Sequence, residues 1–380
     1  MRTSRRPRPV PELSPDDDRR FMAATIRHAE RHAGLTGTNP SVGTLIVRDD
    51  GAGPAIIGHG VTALGGRPHA EAQALAEAGP RAAGATAYVS LEPCAHHGRT
   101  PPCAEALIRA GVARVVYAAS DPDPRVDGKG AAMLRAAGIA VEGGVLAAEA
   151  RRALAGYLAR VTKKRPEVTV KIAVSADGKI GRRGAGQVAI TGPIANRQTH
   201  LLRARSDAIL VGAATVAEDD PSLTCRLPGL TERSPLRIVL DGSLRTSPAA
   251  QVVATAREVP TAFATLDPQD ARAEALRRAG CEIIACEADP GTRRVALPEL
   301  LEDLAARGLS TLLVEAGGEL GRSLISEGFC DRLIVVEGEN EIGADGIAAP
   351  CGARQPPAGF RLAREFRFGP DRWREFERFA

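Results

Sequence analysis

One histidine, two cysteines and one glutamate lie at spacings that could build a catalytic zinc site. His69 and Glu71 are two residues apart, and Cys94 and Cys103 each follow a proline. One imidazole and two thiolates are a three-ligand set that leaves the fourth zinc position open for water. Glu71 would accept a proton from that water and return it later in the reaction. The spacing therefore predicts a hydrolytic zinc centre with His69, Cys94 and Cys103 as ligands.

This chemistry requires helices that begin at the ligands. Side chains two residues apart on a helix point about 200° away from each other. His69 and Glu71 can therefore share a site only if the helix directs its N-terminus at it, and residues 65–68 (Gly-Gly-Arg-Pro) favour such a start. Residues 101–102 (Pro-Pro) predict a second helix start at Cys103. Helix N-termini lower thiol pKa values and so favour thiolate ligands.

Other interpretations of the same residues stay open. A single histidine or cysteine is most often a core residue, but an ordered set of three with a nearby acid favours catalysis. A zinc-stabilised binding module would need a fourth ligand, such as His96 or His97. A deaminase that acts on another nucleobase or on tRNA, with a degenerate second domain, is a further alternative.

The composition constrains these alternatives. The chain has 380 residues, a net charge of +4 and only 3% aromatic residues. Most of the positive charge lies in residues 1–15, which contain four arginines and one glutamate. A nearly neutral body with few aromatic side chains argues against a nucleic-acid-binding face. Seven cysteines without a paired pattern indicate a reducing cytoplasm, and we expect no membrane segment.

The order His-x-Glu, then Pro-Cys and a second Cys, resembles the zinc-dependent nucleobase deaminases. Here eight residues separate Cys94 from Cys103, where the general pattern has two. The segment 91–103 (Leu-Glu-Pro-Cys-Ala-His-His-Gly-Arg-Thr-Pro-Pro-Cys), with residues 39–43 and 121–124, more closely resembles the bifunctional riboflavin-biosynthesis deaminase/reductase family. That resemblance covers nearly the whole chain. It implies an α/β protein with an N-terminal cytidine-deaminase-like α/β/α domain and a C-terminal dihydrofolate-reductase-like α/β domain.

The resemblance implies two successive reactions on one phosphoribosylated pyrimidine. The first domain would use one Zn²⁺ to remove the ring 2-amino group, and the second would use NADPH to reduce the ribosyl side chain to ribityl. In the first domain, Asn39 and the loop 96–100 would contact the substrate. Ala95 stands where the family usually has serine. The resemblance also implies a homo-oligomer that assembles through the reductase domain.

For the second domain, site residues come from the resemblance alone. Arg203 and Arg226 would hold the sugar phosphate, because guanidinium groups make bidentate contacts with phosphate. Gln187, Leu223 and Glu315 are the other expected substrate contacts. The expected NADPH contacts are Ala173, Ala189, Thr215, Asp219, Gly317, Gly318, Leu320 and Gly321. Many family members have tryptophan where this chain has Ala189, which removes an aromatic surface.

The glycine-rich segment 311–322 predicts a strand, a turn and a helix, whose N-terminus could bind a pyrophosphate. Its spacing is not Gly-x-Gly-x-x-Gly, and no suitable acid follows about 20 residues later, so an ordinary Rossmann domain is not expected. The sequence also does not identify a proton donor for the reductase.

Strand and helix patterns alternate along the chain. Ser14, followed by Pro15 and acidic residues, predicts a helix start, and a long helical pattern runs over 147–164. The predicted strands are 44–47, 55–58, 85–91, 114–118, 139–141, 168–174, 208–211, 237–240, 261–264, 282–285, 311–315 and 332–336. We divide the chain into a disordered basic leader (1–14), a zinc deaminase domain (15–147), a linker helix (148–166) and a reductase domain (167–380).

Overall fold

The computed structural model describes residues 13–98, 101–315 and 318–379. The chain divides into two compact units between Lys163 and Lys164. Both units are mixed α/β, which confirms the predicted fold class. Most of the predicted leader lies outside the described residues. None of the helices in the described part of the chain has the length and apolar content that crossing a bilayer requires.

The first unit is one five-stranded sheet covered by helices. The strands are β1 (Gly43–Asp49), β2 (Pro54–Val61), β3 (Thr86–Leu91), β4 (Arg114–Ala119) and β5 (Ala140–Gly143). The helices are α1 (Pro15–Ala29), α2 (Ala70–Ala78), α3 (Cys103–Arg109), α4 (Lys129–Ala136), α5 (Ala147–Ala153) and α6 (Ala155–Lys163). The strand order is β2-β1-β3-β4-β5, with β3, β4 and β5 parallel and β1 antiparallel to both its neighbours. The predicted cap of α1 is confirmed, since the Ser14 hydroxyl accepts a hydrogen bond from the Asp17 N–H.

The prediction of one helix over 147–164 is wrong. The helix ends at Ala153, and Leu154 leaves helical geometry with φ −101° and ψ 8°. The side chains of Ala150 and Leu154 both belong to the core of the first unit. The segment that the pattern indicated as a linker therefore packs as two short helices, α5 and α6, within that unit.

The second unit has a nine-stranded sheet and a two-stranded one. Its strands are β6 (Glu167–Val174), β7 (Lys179–Arg182), β8 (Ala208–Gly212), β9 (Leu236–Leu240), β10 (Thr261–Thr265), β11 (Glu282–Ala285), β12 (Thr311–Glu315), β13 (Arg332–Glu337), β14 (Gly346–Ala348), β15 (Phe360–Phe368) and β16 (Asp371–Arg378). Its helices are α7 (Pro193–Arg205), α8 (Ala213–Asp219), α9 (Gln251–Ala254), α10 (Ala271–Ala279), α11 (Leu297–Ala306) and α12 (Gly318–Ser326). The order in the larger sheet is β11-β10-β9-β8-β12-β6-β13-β16-β15, while β7 pairs with β14.

Every predicted strand is present in the two units, with ends within a few residues. The prediction missed β7, β14 and the C-terminal hairpin of β15 and β16. Strand β15 is mostly exposed at the sheet edge and alternates charged with apolar residues, so it lacks the buried apolar run of the central strands. The other strand pairs of this sheet are parallel, whereas β16 pairs antiparallel with β13 and β15 pairs antiparallel with β16.

The larger sheet changes its direction of growth between β8 and β12. After β8 the chain adds β9, β10 and β11 on one side, whereas β12 pairs with the other side of β8 and leads to β13 beyond β6. In parallel sheets, ligands bind at the carboxyl ends of the strands at such a switch point. Helices α8 and α12 begin directly after these two adjacent strands. A crevice for a ligand is therefore expected between the starts of α8 and α12.

Two glycines allow α2 to lie directly on β2 in the first unit. A Cβ atom on Gly60 would overlap the carbonyl oxygen of Ala70, and one on Gly58 would overlap that of Ala74. Because α2 begins directly after His69, this close approach sets the position of the predicted zinc ligand.

We predict that Gly60→Ala destabilises the first unit and weakens its metal site. The added methyl group must push α2 away from β2, and such overpacking usually costs about 1–3 kcal/mol. Unfolding of the full chain in denaturant and zinc content per chain are the measurements. Gly291→Ala is the control, because its Cβ would come no closer than 3.5 Å to Asp289 Oδ1. Unchanged stability and zinc content in Gly60→Ala would contradict this account.

Candidate functional site

The histidine and the two cysteines predicted as zinc ligands meet in the first unit. His69 Nδ1 lies 3.3 Å from Cys103 Sγ and 3.8 Å from Cys94 Sγ, and the three ligand atoms lie within 4.8 Å of one another. Usual zinc bond lengths and tetrahedral angles place such atoms about 3.6–3.8 Å apart. In the described part of the chain, no fourth His, Cys, Asp or Glu joins this group. The donor set therefore fits Zn²⁺ with an open position.

Helix starts hold the ligands in the way the sequence predicted. His69 is the residue before α2, with extended backbone at φ −68° and ψ 161°, and Cys103 is the first residue of α3. The Cys103 N–H donates to Cys94 Sγ over 3.3 Å, and the Ala104 N–H donates to the Cys94 carbonyl. The N-terminus of α3 thus directs a backbone N–H group at a sulfur atom, which favours negative charge there.

The electrostatics of the four groups are tightly linked. Hydrogen bonds from the Cys103 thiol and from His69 lower the pKa of Cys94 to about 4. The hydrogen bond to Cys94 and burial raise the pKa of Cys103. Burial, and then the negative charge of Cys94, raise the pKa of Glu71, whose side chain is only 4% exposed. A carboxyl group that readily holds a proton beside a thiolate is suited to shuttling protons.

A cavity of about 290 Å³ opens next to these groups. His69, Glu71 and Cys94 line it, as do Asn39 and His96. The Asn39 amide donates to the Gly66 carbonyl over 3.2 Å, which ties it to the turn before α2. The structure therefore brings Asn39 and His96, two of the predicted substrate contacts, to the same cavity as Glu71.

The two histidines that could have supplied a fourth ligand have different surroundings. His97 Nε2 pairs with Glu105 over 3.0 Å and does not line the cavity. His96 does line the cavity, and its Nδ1 is buried without a partner among the described residues. Neither belongs to the ligand group. Arg99 and Thr100, the last two residues of the predicted contact loop, lie outside the described residues.

Four further side chains line the same cavity, and the sequence did not mark any of them as a site residue. Tyr157 of α6 donates its hydroxyl proton to both carboxylate oxygens of Asp121, over 2.9 and 3.1 Å. Arg125 forms a fork with Asp123, and this contact lowers the pKa of Asp123 to about 2. All four side chains line the cavity. The residues 121–124 were visible as a motif, but Tyr157 lies in a segment whose pattern indicated only a linker.

In the second unit, two predicted substrate residues form a buried ion pair with each other. Arg203 Nε and Nη2 donate to the two oxygens of Glu315 over 2.6 and 2.7 Å, and Arg203 Nη1 donates to the Thr224 carbonyl. Lys171 stands beside Glu315 in the register of β6 with β12. Burial lowers the pKa of Lys171, so its ammonium group can exchange a proton more easily than an exposed lysine can. No sequence motif marked Lys171 as a site residue.

The other predicted substrate residues of this unit differ in exposure. Arg226 is exposed, and its guanidinium group contacts the Ser222 hydroxyl. Leu223 is 2% exposed with its side chain in the core, so only its backbone can face a ligand. Gln187 is exposed in the loop between β7 and α7.

Most of the predicted NADPH residues follow the two strands at the switch point. Thr215 and Asp219 lie on α8, while Gly318, Leu320 and Gly321 lie on α12. The other three predicted NADPH residues are not on these helices. Ala173 lies on β6, the parallel neighbour of β12, and Ala189 is exposed before α7. Gly317 lies outside the described residues. The topology therefore gathers Thr215, Gly318, Leu320 and Gly321 at the carboxyl edge of adjacent strands, where phosphate groups could meet helix N-termini, whereas Asp219 is the last residue of α8.

Comparisons with known proteins divide the chain in the same way. The family model described as the cytidine and deoxycytidylate deaminase zinc-binding region matches residues 15–119. The family model described as the RibD C-terminal domain matches residues 166–371.

Two relatives and two solved structures resemble almost the whole chain. The riboflavin biosynthesis protein RibD of Aquifex aeolicus is 39% identical over 318 residues, which is 84% of this chain and 86% of that protein. RibD of Escherichia coli is 39% identical over 348 residues, 86% of this chain and 89% of that protein. The structure of Acinetobacter baumannii RibD has a TM-score of 0.84 at 33% identity and covers 97% of this chain and 100% of its own. A diaminohydroxyphosphoribosylaminopyrimidine deaminase/5-amino-6-(5-phosphoribosylamino)uracil reductase from Thermotoga maritima has a TM-score of 0.81 at 29% identity and covers 95% and 99%.

We predict that Cys103→Ala loses bound zinc, whereas Cys286→Ala keeps it. Removing one of three protein ligands leaves too few donors to hold the ion, whereas Cys286 lies in the second unit, outside the ligand group. Zinc per chain, measured by atomic emission after gel filtration, should fall at least about tenfold in Cys103→Ala. Equal zinc content in the two variants would refute the assignment of the ligands.

Proposed function

Because the chain belongs to the RibD family of riboflavin biosynthesis proteins, we propose that it acts on a phosphoribosylated diaminopyrimidine, first removing the 2-amino group and then reducing the ribosyl side chain. As a member of that family, the chain is a bifunctional enzyme with a zinc-dependent deaminase domain and an NADPH-dependent reductase domain. The proposed substrate is the one for which the Thermotoga maritima deaminase/reductase is named. The observation that carries the proposal is the three-donor group facing a cavity that also holds Glu71.

The proposed deaminase chemistry depends on a buried proton carrier. When bound, zinc supplies a Lewis acid that lowers the pKa of water toward neutrality. Glu71 accepts a proton from the attacking water and gives it to the departing ammonia. Burial supports both steps, because it raises the pKa of Glu71 and so makes the protonated form accessible. Asn39 and His96, on the same cavity, hold the pyrimidine against this carboxyl group.

The proposed reductase site uses the crevice between the starts of α8 and α12. When bound, NADPH supplies the reducing hydride. Thr215, Asp219 and the first turn of α12 hold its phosphate and ribose groups. The helix N-terminus favours a negatively charged group at this position.

The two arginines predicted to clamp the sugar phosphate have different proposed roles. Arg203 is fully engaged by Glu315 and by the Thr224 carbonyl, so its charge is balanced within the protein. Arg226 is exposed overall, but partial burial of its guanidinium group, and then the positive charge of Arg203, lower its pKa. We assign the phosphate contact to Arg226, and we assign Arg203 the role of orienting Glu315 toward the substrate.

Several expectations about the whole protein are part of the proposal. The free state of all seven cysteines supports a reducing cytoplasm. The partner is a small phosphorylated molecule rather than a nucleic acid. We also propose that the chain forms a homo-oligomer through the reductase domain. Residues 15–163 would form the deaminase and 164–380 the reductase.

We predict that Glu71→Gln stops the pathway at its first step. Glutamine keeps the size of the side chain but cannot carry the proton, and loss of such a group usually lowers the rate about 10²–10⁴-fold. With the undeaminated substrate, ammonia release and NADPH oxidation should both stop. NADPH oxidation should resume when the deaminated intermediate is supplied, and zinc content should stay unchanged.

Glu77→Gln is the matched control for this experiment. Glu77 lies on the same helix, α2, but its side chain is 49% exposed and pairs with His59 instead of lining the cavity. This variant should release ammonia at the wild-type rate. Full activity of Glu71→Gln, or failure of the supplied intermediate to restore oxidation, would refute the proposed order of reactions.

We predict that Arg226→Ala weakens substrate binding by the reductase far more than NADPH binding. A charge-assisted contact with phosphate is worth about 1.5–3 kcal/mol, so the KM for the deaminated substrate should rise about tenfold or more. Steady-state kinetics with each substrate varied in turn provide the measurement. Arg205→Ala, which removes an exposed arginine at the end of α7, should change neither constant. An equal rise in both KM values would show that Arg226 does not discriminate the sugar phosphate.

A further inference from the structure

Arg237 is a completely buried arginine on β9, with 0% of its surface exposed. Its guanidinium group donates to the backbone carbonyls of Ser222 (3.1 Å), Val252 (3.2 Å), Thr255 (3.1 Å) and Val259 (2.9 Å), and to the Thr255 hydroxyl (2.8 Å). Its Nε atom has no partner among the described residues. A buried cation held only by neutral acceptors is a poor way to gain stability, because burial penalises its charge. This arrangement points to a role in fixing backbone positions.

The backbone that Arg237 holds has a disfavoured conformation. Leu223 has φ 56°, in the left-handed region that residues with a side chain rarely adopt. The residue before it, Ser222, gives its carbonyl to Arg237, and the residue after it, Thr224, gives its carbonyl to Arg203 over 3.0 Å. Two buried guanidinium groups therefore flank the strained residue. A conformation of this kind persists only where the surroundings determine it, and such places are often ligand sites.

Ser222 links this buried support to the exposed side of the loop. Its carbonyl oxygen accepts from Arg237, while its hydroxyl group contacts the guanidinium of Arg226. The Arg226 N–H also donates to His200 Nδ1 over 3.3 Å. A continuous path of hydrogen bonds thus runs from the core of the second unit to Arg226.

We propose that Arg237 is a positioning residue of the reductase, which fixes Ser222 and thereby presents Arg226 to an anionic group of the substrate. Arg237 does not touch the substrate itself. The inference rests on the proposed role of Arg226 as the phosphate contact. Arg237 would thus contribute to substrate affinity from the core, although its strand, β9, supplies no predicted ligand contact.

The test is a double-mutant cycle with Arg237→Met and Arg226→Ala in the full chain. Arg237→Met should raise the KM for the deaminated substrate about tenfold and leave kcat and the KM for NADPH within about twofold of wild type. Because Arg237 acts through Arg226, the double variant should show nearly the same KM as Arg226→Ala alone. Arg237→Lys keeps a hydrogen-bond donor and most of the side-chain volume, so its KM for the deaminated substrate should lie between those of wild type and Arg237→Met. If Arg237→Met folds poorly, Arg237→Lys replaces it in the double-mutant cycle.

Arg332→Met is the control for a purely structural effect. Arg332 is another largely buried arginine of this unit, paired with Glu167 at the opposite end of β6 from the proposed site. It should lower the melting temperature without changing the KM for the substrate.

The outcomes separate the inference from the function on which it rests. If Arg226→Ala leaves the substrate KM unchanged, the proposed phosphate contact is wrong and the inference is wrong with it. If Arg226→Ala raises that KM but the Arg237 variants do not, only the inference is overturned. The inference alone is also overturned if the KM increases of the two single variants multiply in the double variant. It is overturned as well if the Arg237 variants raise the KM for NADPH as much as the KM for the substrate.

Discussion

The meeting of one imidazole and two sulfur atoms at the starts of α2 and α3 is the constraint on which the first unit depends. Three groups of one ligand set must come within bonding distance of a single ion while Glu71 stays buried beside them. Helix N-termini meet this requirement, because first-turn side chains and free N–H groups point to the same place. Gly58 and Gly60 permit the close packing of α2 on β2, and this packing fixes the distance of His69 from the sheet.

The cavity next to these ligands has two walls of different origin. One wall comes from the segments that carry the motifs, with Asn39 and His96 beside the ligands. The other comes from α6, whose Tyr157 fastens Asp121, and α6 lies beyond the residues that the deaminase family model matches. Residues within the deaminase family match thus supply the candidate ligands and Glu71, while a helix beyond that match contributes Tyr157 to the lining of the same cavity.

The second unit solves a different problem, because it must hold charged groups in a core rather than at helix ends. Arg203 satisfies its charge through Glu315, whereas Arg237 has only neutral acceptors. Both arginines donate hydrogen bonds to backbone carbonyl groups of the loop that carries Leu223 and Arg226. The two buried guanidinium groups hold the carbonyl groups on either side of Leu223, which keeps that residue in its disfavoured conformation.

The sequence by itself indicated the group of His69, Cys94 and Cys103 with Glu71 beside it, the α/β fold class of both domains and nearly every central strand, because motif spacing, family resemblance and periodicity are visible in the linear chain. It did not determine the break at Leu154, the edge hairpin of β15 and β16, the wall at Tyr157, or the pairing of Arg203 with Glu315. The Tyr157–Asp121 and Arg203–Glu315 contacts join segments far apart in the chain, whereas the edge hairpin was missed because β15 lacks the buried apolar run of a central strand. Asp121 and Tyr157, or Ser222 and Arg237, have no periodic relation that a linear pattern could reveal. Only the tertiary structure could place them together, because hydrogen bonds and burial act through space and not along the sequence.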